Sequence, residues 1–144
     1  VYHLHTPILM IMGHSDCGAL KAFMRGYENT EDPIKRELDN LKPAGLSREY
    51  AEENFEEILL HNIQKNVDYQ VDVGVGKYRD LIRDEKLAVI GAFYDFKNDF
   101  DRGCGRLTFI NVNGEEDRDR IGNLPLFENI SGGFKDIVVG RLKF

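Results

Sequence analysis

The stretch "ILMIMGHSDCGALKAFM", Ile8 to Met24, decides the fold. Five consecutive apolar residues, Ile8 to Met12, run up to Gly13 without a polar interruption. A strand buried on both faces reads this way, which predicts a parallel or central strand with helices covering both sides. Beyond Gly13 the residues become helix formers, with Leu20, Phe23 and Met24 at helical spacing. Asp16 or Ser15 is the expected N-cap of that helix. Strand, glycine turn and helix together make one α/β step.

Outward from this stretch, Thr6 and Pro7 introduce the strand, and residues 28–50 are polar and broken by Pro33 and Pro43. They predict one short helix between loops. From Glu52 to about Val71 the spacing of Phe55, Ile58, Leu59, Ile63, Val67 and Val71 predicts a longer amphipathic helix. Glu53, Glu56, Glu57 and Lys65 lie on its other face, and "DVGVG" (72–76) breaks the pattern before a second short helix in "KYRDLIRDE". "KLAVIGAFYDF" (86–96) predicts a second strand. The turn-rich "NDFDRGCG" then leads to "RLTFINVNG" (106–114), an alternating strand expected to pair antiparallel with its predecessor. The fold class is α/β: a mainly parallel central sheet with flanking helices and a C-terminal antiparallel hairpin strand. Residues 1–114 form the expected α/β domain, with its N-terminal part missing. Residues 115–144 form an extension or interface arm.

Bulk properties narrow the function. The chain has 144 residues, 42% hydrophobic and 31% charged, with 25 carboxylates against 19 Lys plus Arg and a net charge of −6. An acidic chain without a basic face argues against nucleic acid or an anionic membrane as partner. No apolar run reaches a membrane span, and "PILMIM" lacks the flanks of a signal peptide, so the cytoplasm is the default location. The two cysteines, Cys17 and Cys104, make no disulfide framework. Val1 stands directly before a strand, and a natural segment is expected upstream of it.

His14 and Cys17 are the residues with chemistry. One turn at the carboxyl end of a strand offers a nitrogen and a sulfur, the donors zinc prefers, where open α/β sheets place their ligands. Cys17 opens a helix, whose positive end favours a thiolate. H-x-x-C also fits a buried cysteine beside a hydrogen-bonded histidine, and a thiol nucleophile with a histidine base. Cys104, between two hairpin strands, reads as an accessible turn cysteine. His3 and His5 precede the strand at the edge opposite its carboxyl end, His61 reads as a surface or interface histidine, and Tyr94 and Asp95 read as structural. Asp16 reads as a cap.

"IMGHSDCGAL" resembles the second metal motif of the β-class carbonic anhydrases: an apolar strand, then G-H-x-x-C-G, then a helix. "NFEEILLHNIQKNVDYQV" is similar to that family's long helix, and "LIRDEKLAVIGAFYDFKND" to its following strand. The resemblance runs from Ile8 to about Val112. It implies zinc-dependent reversible hydration of carbon dioxide to bicarbonate, with His14 and Cys17 as metal ligands and the Gly18 amide as a substrate-side donor. Gly13 and Gly18 match family glycines that let the backbone approach the metal pocket. The family's first cysteine and its Asp–Arg pair lie in a C-x-D-x-R motif that these residues do not contain; the resemblance puts it several tens of residues before Val1. A homodimer or higher homo-oligomer is implied, with Val1 to Thr6 and the segment after Glu115 as interface arms. The alternative is a non-catalytic scaffold or regulatory relative lacking a complete zinc site.

Overall fold

The apolar run folds as strand β1 (Ile8–His14) in a computed structural model that describes residues 1–3 and 5–144. Helices α1 (Gly18–Arg25), α2 (Asp32–Asp39), α3 (Phe55–Lys77) and α4 (Arg79–Arg83) then carry the chain to β2 (Ala88–Asp95). β2 pairs parallel with β1, from Ile8 opposite Ala88 to His14 opposite Tyr94. A turn-rich connection returns the chain as β3 (Arg106–Val112), antiparallel to β2. The order β1-β2-β3 makes a mixed sheet, one pair parallel and one antiparallel, as the two strand signatures predict.

One face of the sheet carries α3. Leu59, Ile63, Val67 and Val71 are buried against Val89, Phe93 and Ile110, and α1 adds Leu20 and Met24 to the same core. The helix sits close because glycines meet it. A Cβ on Gly91 of β2 would lie 2.8 Å from Val67 Cγ1 and 2.9 Å from Val71 Cγ2. One on Gly13 of β1 would lie 2.8 Å from both Ile63 Cγ2 and Val67 Cγ2. α3 also runs through "DVGVG" to Lys77 instead of ending near Val71. Gly74 is buried there, and a Cβ on it would lie 3.2 Å from Val89 Cγ1 and 3.8 Å from Ile11 Cδ1 and Leu9 Cδ2. Packing against both strands offsets the roughly 1 kcal/mol that a helical glycine costs relative to alanine.

The opposite face is covered by the C-terminal segment. Ile121 of α5 (Arg118–Gly122), Phe127 and Val139, just after α6 (Gly132–Val138), bury against Ile90 and Val112. The chain end then crosses to α3 and is held along it at three successive points. Asp68 accepts from Arg141 at both carboxylate oxygens and from Asn111 Nδ2 at 2.9 Å. The Gln64 amide donates to the Leu142 carbonyl (3.3 Å) and accepts from the Leu142 N–H (3.0 Å), and the His61 ring lies 5.0 Å from that of Phe144.

β1 departs from expectation. Leu9 and Ile11 point at α3, but Ile8, Met10 and Met12 on the other face are 43, 39 and 52% exposed. The strand is an edge strand covered by helices on one side only among the described residues, because the C-terminal segment reaches β2 and β3 and stops short of β1.

Gly91→Ala is expected to cost about 1–3 kcal/mol, since the methyl meets β-branched side chains that are stiff at χ1. A urea midpoint lowered at unchanged m is the readout. Asp68→Ala leaves Asn111 and Arg141 without their shared acceptor and is expected to cost about 2–3 kcal/mol. Removal of residues 141–144 should approach the same loss in the same urea experiment.

Candidate metal centre

The two parallel strands end side by side, and their carboxyl ends build the site. Ser15, the residue after β1, is fully buried; its N–H donates to the Tyr94 carbonyl at 3.0 Å, prolonging the β1–β2 pairing by one bond. Its hydroxyl lies 2.6 Å from Asp99 Oδ2 and 3.2 Å from Asp95 Oδ1, and accepts from the Phe96 N–H at 3.2 Å. Asp95, the last residue of β2, is also fully buried. Its carboxylate accepts the backbone N–H groups of Lys97 (3.1 Å), Asp99 (2.9 Å) and Phe100 (2.9 Å). One carboxylate thus folds the loop after β2 about itself, as an aspartate does when its side chain replaces a backbone acceptor in a turn.

His14 ends β1, partly buried, with Nδ1 2.8 Å from the Ser15 carbonyl oxygen. A carbonyl can only accept, so the bond requires the proton on Nδ1 and leaves the Nε2 lone pair free to ligate. The Phe96 ring stacks on the imidazole, centroids 5.6 Å apart and planes 29° apart. Cys17 stands at the N-cap of α1 with extended backbone and is partly buried against the α3 core. Gly18 is the first residue of α1, so its N–H belongs to the turn that has no intrahelical acceptor.

Several sequence expectations change here. Neither Ser15 nor Asp16 caps α1: Ser15 is committed to Asp95 and Asp99, and the N-cap is Cys17 without a side-chain capping bond. Asp16 takes a left-handed backbone (φ 60°), and its carboxylate pairs with Lys21 and, at 3.8 Å, with Lys97. The Lys21 hydrogen bond holds the Asp16 carboxyl below its ordinary range, against a smaller desolvation effect. Gly13 faces α3 rather than a metal pocket; its missing side chain makes room for Ile63 and Val67. Tyr94, the residue before the end of β2, is exposed, its carbonyl holding Ser15. Cys104 is exposed in the β2–β3 connection, both cysteines are free, and His3 and His5 are exposed. Ser15, Phe96 and Asp99 were not legible as site residues. The one signal in the sequence is Asp95 followed four residues later by Asp99, an Asx-rich turn after a strand.

Histidine nitrogen and cysteine sulfur from one turn fit zinc chemically, yet they are two donors where a protein site uses three or four. Among the described residues no group of three or more His, Cys, Asp or Glu side chains could hold an ion. Beside Cys17, a groove of about 470 Å³ between α1 and α2 runs from Gly18, Ala19 and Ala22 to Pro33, Ile34, Glu37 and Leu38, and its exposed lining is almost wholly apolar. A larger cleft of about 580 Å³ lies on the far side of α3, around Asp68, Glu116 and Arg141, and contains neither His14 nor Cys17. No described helix is long and apolar enough to cross a membrane.

The family model described as carbonic anhydrase matches residues 1–100. No curated protein matches the chain. Among solved structures, the fold is similar to one of two β-carbonic anhydrases, described as tetrameric, from the filamentous ascomycete Sordaria macrospora. The TM-score is 0.59 at 24% identity, over 76% of this chain and 55% of that one. The chain therefore spans about half the length of that relative, and the likeness at this identity is one of fold.

The Asp16 pairing has a direct test. Followed by NMR against pH, the carboxyl is expected to titrate below its ordinary 3.8, and Lys21→Ala should move it back up. The folded value is the depressed one, so the pairing favours the fold above the unfolded value. That contribution is lost as pH falls through the folded value.

Proposed function

The chain belongs to the β-carbonic anhydrase family, and on that premise we propose that it catalyses the reversible hydration of carbon dioxide to bicarbonate, with zinc as cofactor. The observation that carries this reading is the state of His14. Its Nδ1–H is given to the Ser15 carbonyl and its Nε2 is free, one turn from the Cys17 sulfur at the carboxyl ends of two parallel strands. A ligand histidine held through its other nitrogen is the usual arrangement in protein zinc sites.

Each residue then has a stated part. His14 ligates through Nε2 and Cys17 through its sulfur. Zinc, when bound, supplies the acidity that brings a water to a pKa of roughly 7, the nucleophile that carbon dioxide needs. The Gly18 N–H, unused within α1, is a donor to a developing substrate oxygen. The apolar groove that begins at Gly18 suits a non-polar gas better than a charged product. Residues 1–114 are, on this reading, the family's α/β domain without its N-terminal part, and 115–144 an extension or interface arm. The third ligand and the Asp–Arg pair of the family belong, on this reading, to a segment before Val1. The unpaired edge of β1 and the uncovered Ile8, Met10 and Met12 support a further strand or subunit there. A homo-oligomer is part of the same proposal.

In the natural full-length protein, metal analysis is expected to find zinc, and stopped-flow assay to find carbon dioxide hydration that a chelator abolishes. Cys17→Ser should lose both the metal and the turnover. Zinc and full activity retained in that variant would overturn the ligand assignment. Activity lost to alkylation of Cys17 but untouched by chelators would instead make the protein a thiol enzyme.

A further inference from the structure

Ser15 and Asp95 are each fully buried, and the zinc chemistry does not use either of them. Burying a hydroxyl and a carboxylate is costly unless their bonds are made, and here they are made to one another's elements. Ser15 is held on both sides of its backbone and through its side chain: N–H to the Tyr94 carbonyl, hydroxyl to the loop carboxylates, and hydroxyl oxygen to the Phe96 N–H. A serine hydroxyl has one proton, which serves one carboxylate at a time, and the 2.6 Å approach marks Asp99 as its acceptor. Asp95 holds the loop that presents Asp99 and Phe96, through the N–H groups of Lys97, Asp99 and Phe100.

Both determinants of the His14 ring pass through this clamp. The Ser15 carbonyl that receives Nδ1–H belongs to the clamped peptide, and the Phe96 ring against the imidazole belongs to the residue whose N–H the Ser15 hydroxyl accepts. We infer that Ser15, clamped by Asp95 and Asp99, is a positioning residue for His14: it holds the imidazole in the Nδ1–H tautomer, with Nε2 free and the ring plane set against Phe96. This deepens the zinc reading, on which its metal arm rests. Its tautomer arm stands on the hydrogen bonds alone. A serine placed merely to satisfy a buried corner would stabilise the fold without fixing which imidazole nitrogen carries the proton.

The test uses the natural full-length protein with Ser15→Ala, Asp99→Ala and Ser15→Thr. Long-range proton–nitrogen NMR reads the His14 tautomer in the metal-free state, chelator competition reads zinc affinity, and circular dichroism checks the fold. Wild type is expected to show the Nδ1–H form alone. Ser15→Ala should mix the tautomers and weaken zinc about 10–100-fold, the usual effect of removing a partner behind a ligand. Asp99→Ala, which removes the acceptor of the Ser15 hydroxyl, should act in the same direction, and it decides the matter if Ser15→Ala does not fold. Ser15→Thr, which keeps the hydroxyl, should restore both readouts. A folded variant lacking the clamp, with the Nδ1–H form intact and zinc affinity within about twofold of wild type, would overturn the inference. Wild-type protein that shows the single tautomer but binds no zinc would sink the zinc reading and leave the clamp standing.

Discussion

The seat of α3 on the sheet is the constraint on which the rest of the structure depends. A helix normally rests on side chains from the strands beneath it, but here two of the contact points are Gly13 and Gly91. Their missing Cβ atoms admit the methyls of Ile63, Val67 and Val71, so helix and strands approach more closely than any side chain would allow. These three β-branched residues are stiff at χ1, so the contact is specific as well as close. The register of β1 on β2 follows, because sliding either strand by one residue would turn a side chain into that contact and a glycine away from it. His14 beside Tyr94, and therefore the site, is a consequence of that register.

At the strand ends a second organiser takes over. Asp95 completes β2 and gathers the following loop onto its carboxylate, and Ser15 joins the turn after β1 to the same carboxylate and to Asp99. The turn that carries His14 and Cys17 is thus tied to an element some 80 residues away in sequence. Sites built on elements this well satisfied hold their geometry better than free loops do. The charged residues around Asp16, Lys21, Lys97 and Glu56 form an exposed belt outside this buried centre, and such pairs contribute little to stability.

The C-terminal segment shows the same division of labour on a larger scale. Its apolar residues Ile121, Phe127 and Val139 close the open face of β2 and β3. Its last residues are strapped along α3 by His61, Gln64 and Asp68. Those three positions lie one helical turn apart, so the tail reads a single stripe of α3 that the sheet does not cover. On that face β1 receives no such cover, and Ile8, Met10 and Met12 remain at the surface among the described residues.

Much of this was legible in the residues. The strand–glycine–helix step, the long helix with its apolar stripe, the second strand and the antiparallel return are local patterns, and each folds where its periodicity places it, apart from the turns that carry α3 on to Lys77. So was the placing of His14 and Cys17 in one turn, because H-x-x-C at the end of an apolar run is a local arrangement of donor atoms. The resemblance to a β-class carbonic anhydrase rested on the same short motifs. What periodicity could not carry was anything that depends on a distant partner. Ile8 to Met12 look buried on both faces, yet burial is decided by which elements arrive above the strand. Gly74 looks like a helix breaker, yet it becomes a contact point once two strands lie beneath it. Ser15 looks like a cap, yet it turns towards carboxylates brought to it by the β1–β2 pairing. Local sequence sets the element and its donor atoms because those depend on near neighbours. The anchoring of Ser15, the depth of Asp95 and the exposure of β1 are properties of contacts between segments far apart in the chain, and they exist only once the sheet has formed.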